Sequence, residues 1–220
     1  MAGRQLADAL VAYKGQEDTL VLALPRGGVP VAHEVAQALS LPMDVWLVRK
    51  LGVPGQEELA MGAISLGGIC HLEPAIISAL GISRHRIEGV MMKEGQELER
   101  RNLLYRGDRP LPDVLGRTVL VVDDGLATGA TMRAAVASLH AAQAGRVVVA
   151  VPVGAAPSCA ELEDVADEVV CPHMPEPFYG VGRWYADFSQ TSDREVQDIL
   201  ELYCPEAMPA LRADGSTRKR

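Results

Sequence analysis

Thirteen consecutive residues, Val119-Leu120-Val121-Val122-Asp123-Asp124-Gly125-Leu126-Ala127-Thr128-Gly129-Ala130-Thr131, constrain this 220-residue chain more than any other stretch. Val119 to Val122 are apolar and mostly β-branched, the pattern of a strand buried on both faces, as in a parallel sheet. The strand runs into two adjacent carboxylates, then a loop of Gly, Ala and Thr, then a helical pattern from Met132 to Ala142. A loop that opens a helix suits an anion, because free backbone N–H groups converge there and the helix dipole is positive. Gly125 and Gly129 let the backbone close on the anion, and Thr128 and Thr131 can add hydroxyl donors. The paired carboxylates would repel a phosphate, so they serve a sugar diol or a divalent cation, both of which want carboxylate oxygens. Phosphate, diol and cation in one site point to a phosphorylated pentose.

That stretch resembles the phosphoribosyl-pyrophosphate (PRPP) signature of the type I phosphoribosyltransferases, without a gap from Val119 to Thr131. Other phosphate motifs fail: no Gly-x-x-x-x-Gly-Lys-Ser/Thr occurs, and Gly125 to Gly129 breaks the dinucleotide-binding fingerprint.

A chain of this length can bury one substantial core. No segment approaches the ~18–20 apolar residues of a membrane span, and Met1 to Leu6 lack the apolar core of a signal peptide. Cys70, Cys159, Cys171 and Cys204 are scattered without a Cys-x-x-Cys pair, which suits a cytoplasmic protein better than a disulfide frame or zinc site. A net charge of −8 argues against nucleic acid as a partner, while a few local cations suffice for a small phosphorylated ligand.

Strand patterns at Thr19–Leu24, Asp44–Val48, Ala60–Ser65, Thr118–Val122, Val147–Val151 and Glu168–Val170 alternate with helical ones at Arg4–Tyr13, Val29–Leu39, Ala130–Ala142 and Pro157–Val165. This predicts an α/β fold: a doubly wound, mainly parallel sheet flanked by helices, with ligands at the carboxyl ends of the strands. A charged excursion from Ile82 to Pro112 reads as an inserted long helix and a loop, its charges a solvated face. With a small hood drawn from the chain termini, the expectation is a single domain over 1–206. Its core spans about 19–170, its C-terminal hood segment about 172–206, and a disordered tail covers 207–220.

Leu24-Pro25-Arg26-Gly27-Gly28 follows a strand and opens a helix, so it offers a second anion cradle, with the Arg26 fork suited to bidentate phosphate contact. It looks like the pyrophosphate loop of the type I enzymes, several of which hold a non-proline cis peptide there. Val48-Arg49-Lys50 ends a strand before a Gly/Pro loop reaching Gly62, a position similar to the family's mobile catalytic loop. Such a loop closes over the pyrophosphate and keeps water from a ribosyl cation. An ordinary surface loop with two solvated cations is the other reading.

Five of the nine aromatic residues fall between Phe178 and Phe188, beside Gly180 and Gly182. They read either as a stacking cover for a planar base, a contact of roughly 1–3 kcal/mol, or as a flap that packs the C-terminus. Phe178, Gly182, Asp187 and Phe188 resemble the base-covering segment of purine-salvage members, with spacings one residue longer at two places. His33-Glu34-Val35-Ala36-Gln37 begins like a zinc-protease helix but lacks the second His. His71, His85 and His140 read as solvated or packed, and His173 stands just ahead of the aromatic run.

The resemblance implies a Mg2+-dependent transfer of ribose 5-phosphate from PRPP to a nitrogen nucleophile, of purine type, in nucleotide salvage, with release of pyrophosphate. It implies that Ala127, Thr128, Gly129, Ala130 and Thr131 hold the 5-phosphate. Asp123 and Asp124 would hold the ribose hydroxyls, directly or through the metal, with Asp187 a further metal ligand. Arg26, Gly27, Gly28, Arg49 and Lys50 would hold the pyrophosphate, Lys50 acting in catalysis with Asp123 and Asp124. Phe178, Tyr179, Trp184 and Tyr185 would take the base. A homodimer is compatible with it. The alternative is a PRPP- or nucleotide-sensing regulator on the same fold, which would have no need of a closing lid.

Overall fold

The structure is a computed structural model and describes residues 1–203; the expected tail over 207–220, and Cys204, lie outside the described residues. In chain order its elements are α1 (Ala2–Ala9), β1 (Thr19–Ala23), α2 (Gly28–Leu39), β2 (Met43–Val45), β3 (Val48–Val53), β4 (Gln56–Ser65), β5 (Cys70–Leu72), α3 (Pro74–Ala79), α4 (Arg84–Arg106), β6 (Thr118–Val122), α5 (Ala130–Ala141), β7 (Arg146–Ala150), α6 (Ala156–Glu163), β8 (Glu168–Val170) and α7 (Asp193–Glu201). Among the described residues no helix is long and apolar enough to cross a membrane.

Five strands form a parallel sheet in the order β2-β1-β6-β7-β8. Its central strands are apolar without alternation because both faces are covered. Val21, Ala23, Leu120, Val122 and Val148 join one core with α1, α2 and α7, while Leu20, Leu22, Val119, Val121 and Val147 join another with α5 and α6. The chain leaves β1 toward β2 on one side and continues from β6 toward β8 on the other. The strand order therefore reverses between β1 and β6, the place where ligands bind in such sheets. The pairings Ala23↔Val122 and Val122↔Ala150 bring the turns after β1, β6 and β7 to one edge.

Two expectations need correction. The Asp44–Val48 stretch is not one strand: it divides between β2 and β3, since Trp46 turns inward and its indole N–H donates to Ser138 Oγ at 2.8 Å. The stretch from Arg49 to Gly62 is not a loop. It is a β-hairpin with Arg49 opposite Ile64 and Lys50 opposite Ala63, continued by β5 into an antiparallel sheet of its own. Pro54 and Gly55 (φ 86°) make the turn, and Leu51, Val53, Met61 and Ile64 join the core shared with α1, α2 and α7. Ala60–Ser65 accordingly belongs to this hairpin and not to the parallel sheet. The inserted helix appears as α4, and the opening helix ends at Ala9, followed by a separate helical turn at Val11–Tyr13.

The first and last described helices, α1 and α7, pack on α2, and α7 also on α4. Tyr105 Oη donates to Asp193 Oδ1 at 2.6 Å and Gln197 Nε2 to the Leu104 carbonyl at 2.6 Å, tying α7 to α4. Val196 and Leu200 of α7 share a core with Leu6 and Leu10 near the N-terminus. The α4 helix ends on a buried ion pair: the Arg106 guanidinium, 1% exposed, donates twice to Asp44 of β2 (3.0 and 2.9 Å) and also meets the Pro110 carbonyl. Asp44→Asn strands a buried charge and is expected to lower unfolding free energy in urea by about 3 kcal/mol. Pairing Asp44→Leu with Arg106→Met removes both charges, so this double variant is expected to recover most of that loss.

Candidate active site

The site begins where two turns touch at the switch between β1 and β6. The Leu24 amide donates to the Val122 carbonyl at 2.8 Å, setting the turn after β1 against the turn after β6. A Cβ on Gly27 would overlap the Asp124 carboxylate, and one on Gly28 would stand 2.6 Å from the Val122 carbonyl oxygen and 2.9 Å from Asp123 Cα. Only glycine allows that approach. The peptide bond between Pro25 and Arg26 is cis, as the resemblance implies.

Asp123 and Asp124 sit directly after β6. The Asp123 carboxylate accepts the Asp124 amide at 2.9 Å. Burial, and then the neighbouring Asp124 charge, push the Asp123 carboxyl up to about 8, and burial raises that of Asp124. Among the described residues no cation offsets either carboxylate. Tyr185 Oη donates to the Asp124 carbonyl at 2.5 Å, and its phenol pKa is raised by burial and by both carboxylates.

The loop over Gly125 to Thr131 is fixed from behind. Leu126 exchanges backbone bonds with Val153 (2.9 Å) and Ala155 (2.8 Å), and Ser158 Oγ donates to the Ala127 carbonyl at 2.6 Å. A Cβ on Gly125 would stand 2.6 Å from the Val181 side chain. Gly129 (φ 71°) turns the chain into α5. The loop's carbonyls are so occupied, while among the described residues the Ala127, Thr128 and Gly129 amides have no acceptor. Thr128 and Thr131 are exposed beside them. Arg133, which no sequence motif marks, braces the loop through the Thr128 carbonyl (3.0 Å) and Glu161 (2.5 Å).

On the other side, β3 carries Arg49 and Lys50 into a cleft of about 660 Å³ that also includes Pro25 and Thr131. Arg49 pairs with Glu94 of α4 at 2.7 Å. Lys93 and Arg101 of α4 line the same cleft, so part of the helix expected to be a solvated face turns toward the site. The signal was present: Lys93, Glu97 and Arg101 recur every four residues, one stripe of a helix.

The aromatic segment does not form one platform. Tyr185 lines a cleft of about 580 Å³ with Arg26, Gly27, Asp124, Asp187 and Phe188, and its ring packs on Phe188 at 5.2 Å. Asp187 is engaged by the Ser189 amide at 2.9 Å. Trp184 shares a second cleft with Tyr185 and meets His173 edge-on at 5.0 Å. Phe178 lines a separate hollow with Ala155, Ala156 and Pro157, and Tyr179 projects outward, 75% exposed.

Residues 1–183 match the phosphoribosyl transferase domain. The chain belongs to that family. It is 46% identical over 200 residues to proteins of two Mycobacterium tuberculosis strains that carry a provisional phosphoribosyl transferase name, covering 91% of this chain and 45% of theirs. The chain thus spans about half the length of these curated relatives. A Thermus thermophilus protein of known crystal structure superposes with a TM-score of 0.85 at 42% identity, over 92% of this chain and 95% of that one. The family match contains the turns after β1 and β6 and the hairpin, and ends just before Trp184, Tyr185 and Asp187.

In this family member the paired carboxylates give a pH signature. A carboxyl whose folded pKa lies above its unfolded value, about 4, takes up a proton on folding. Asp123 therefore favours the folded state at low pH, and that advantage is lost as pH rises toward about 8. Asp123→Asn does not titrate. Its thermal midpoint is expected to rise relative to wild type as pH is raised from 5 to 8 and to stay level beyond.

Proposed function

We propose that this protein transfers ribose 5-phosphate from PRPP to a ring nitrogen of a planar, purine-type base, releasing pyrophosphate, in cytoplasmic nucleotide salvage. One observation carries the reading. Among the described residues, three amides without an acceptor just before α5 stand in the same loop as two carboxylates that no cation offsets, a pairing of donor and acceptor sets that suits a phosphate joined to a diol.

In this reading Ala127, Thr128, Gly129, Ala130 and Thr131 hold the 5-phosphate and Asp123 and Asp124 the ribose hydroxyls. Arg26, Gly27 and Gly28, with Arg49 and Lys50, receive the pyrophosphate. Carboxylate oxygens without a cationic partner also fit Mg2+, a hard cation. Among the described residues no group of three such ligands occurs, so the remaining oxygens would come from the substrate and water. When bound, Mg2+ neutralises charge on the pyrophosphate and fixes the diol. Burial raises the Asp123 carboxyl, and a bound cation would favour its ionised form. The arginine and lysine side chains stabilise the leaving group as its negative charge grows, and the fixed loops place C1 against the acceptor. Tyr185, bonded to Asp124, and its neighbour Trp184 support the base assignment more directly than Phe178 and Tyr179, which stand apart. Asp187 borders the same cleft and would reach the cation or the base edge.

Incubation with PRPP, Mg2+ and a panel of bases and amines, scored for pyrophosphate release, tests the reading. Turnover with a purine-type base is the expected result; tight PRPP binding with no turnover on any acceptor would make the protein a sensor. Thr131→Glu sets a carboxylate at the phosphate seat. Isothermal titration with PRPP is expected to show binding abolished, while circular dichroism stays native.

A further inference from the structure

We infer that Arg101 of α4 is a pyrophosphate ligand of this site. The inference rests on the PRPP reading above. Two neighbouring arginines, Arg100 and Arg101, donate to the same carboxylate, Glu97, each at 2.8 Å. Arg100 is turned to solvent, with 61% of its side chain exposed, whereas Arg101 is 32% exposed. Only Arg101 turns into the cleft that holds Arg49 and Lys50. It also borders the narrow gap where Pro25, at the proposed pyrophosphate turn, faces Thr131 of the phosphate loop. Arg101 therefore stands beside the junction of the two proposed phosphate cradles, in the cleft that Arg49 and Lys50 also line.

The setting suits an anion that arrives and departs. Glu97 is held well below the usual carboxylate range, at about 2, by both arginines, so it remains ionised and keeps the Arg101 guanidinium oriented in the free protein. A diphosphate offers the same fork a more highly charged partner with bidentate geometry. Arg100 then remains on Glu97, so its charge is not abandoned. The same helix offers Lys93 to the cleft, two turns earlier.

Isothermal titration of the full chain with inorganic pyrophosphate, PRPP and ribose 5-phosphate, each with Mg2+, tests the assignment in wild type, Arg101→Gln, Arg101→Lys and Arg100→Gln. Arg101→Gln is expected to weaken pyrophosphate and PRPP about ten- to a hundredfold, the scale of one charge-assisted hydrogen bond. Ribose 5-phosphate should bind as in wild type, Arg101→Lys should recover part of the loss, and Arg100→Gln should bind all three ligands unchanged. Equal losses in Arg100→Gln and Arg101→Gln would mean that only the helix or its charge matters, and would overturn the inference. So would a loss confined to ribose 5-phosphate, or none at all. Failure of the wild type to bind PRPP would instead overturn the reading on which the inference stands.

Discussion

The contact of Gly27 and Gly28 with Asp123 and Asp124 is the constraint on which the rest of the site depends. The turn after β1 reaches the turn after β6 only because two consecutive residues lack a Cβ, and the first hydrogen bond beyond the strands, Leu24 to Val122, fixes their level. With the turns in contact, α2 and α5 start from the same edge of the sheet, one on each of its faces. A methyl group at either glycine would separate the Arg26 side from the carboxylates. A ligand with a phosphate at each end of a ribose needs both sides at a set distance.

That contact is possible because the sheet behind it is rigid. The β1, β6 and β7 strands are buried on both faces and paired in register to their last residues, so each following turn starts from a fixed point. The β7–α6 turn then takes up the carbonyls of Leu126 and Ala127 through Ala155 and Ser158. A short loop whose carbonyls are held from behind has amides left over, which suits the proposed anion site. The hood adds the Tyr185 bond to the Asp124 carbonyl on the opposite side.

Most of this was legible wherever local chemistry decides. Apolar runs of four or five residues between helical patterns gave the parallel strands, and Asp-Asp before Gly-Leu-Ala-Thr-Gly gave the loop, since both signals are contained in adjacent residues. The hairpin was missed because Arg49 and Lys50 interrupt its apolar pattern, and its pairing is antiparallel with a partner that the alternation rule assigned to the main sheet. Arg101 was missed for a different reason. A charge-rich helix with Glu and Arg three and four apart reads as solvated, and only the packing of α4 on the hairpin decides which of its faces meets the cleft. Phe178 and Trp184 are near in sequence, yet they line separate clefts on either side of the turn at Gly180 (φ 120°), which sequence proximity does not reveal.

An acidic chain that receives a polyanion must keep its cations from being neutralised for good. Arg26 stands 3.7 Å from Asp193, Arg49 pairs with Glu94, and Arg101 pairs with Glu97, so each of these arginines meets a carboxylate from an outer helix, α4 or α7. All three pairs are partly exposed, and exposed pairs are worth little, roughly 0–1 kcal/mol. A phosphate with higher charge and fork geometry outcompetes them at small cost. The pairs nonetheless hold long side chains near their working positions, which reduces the rotamer entropy lost on binding, up to about 2 kcal/mol for an arginine. Local pairing of this kind would allow a net charge of −8 to coexist with the proposed polyanion site. Of the carboxylates around the site, Glu94, Glu97 and Asp193 each face a guanidinium, and burial at Asp123 favours the neutral form.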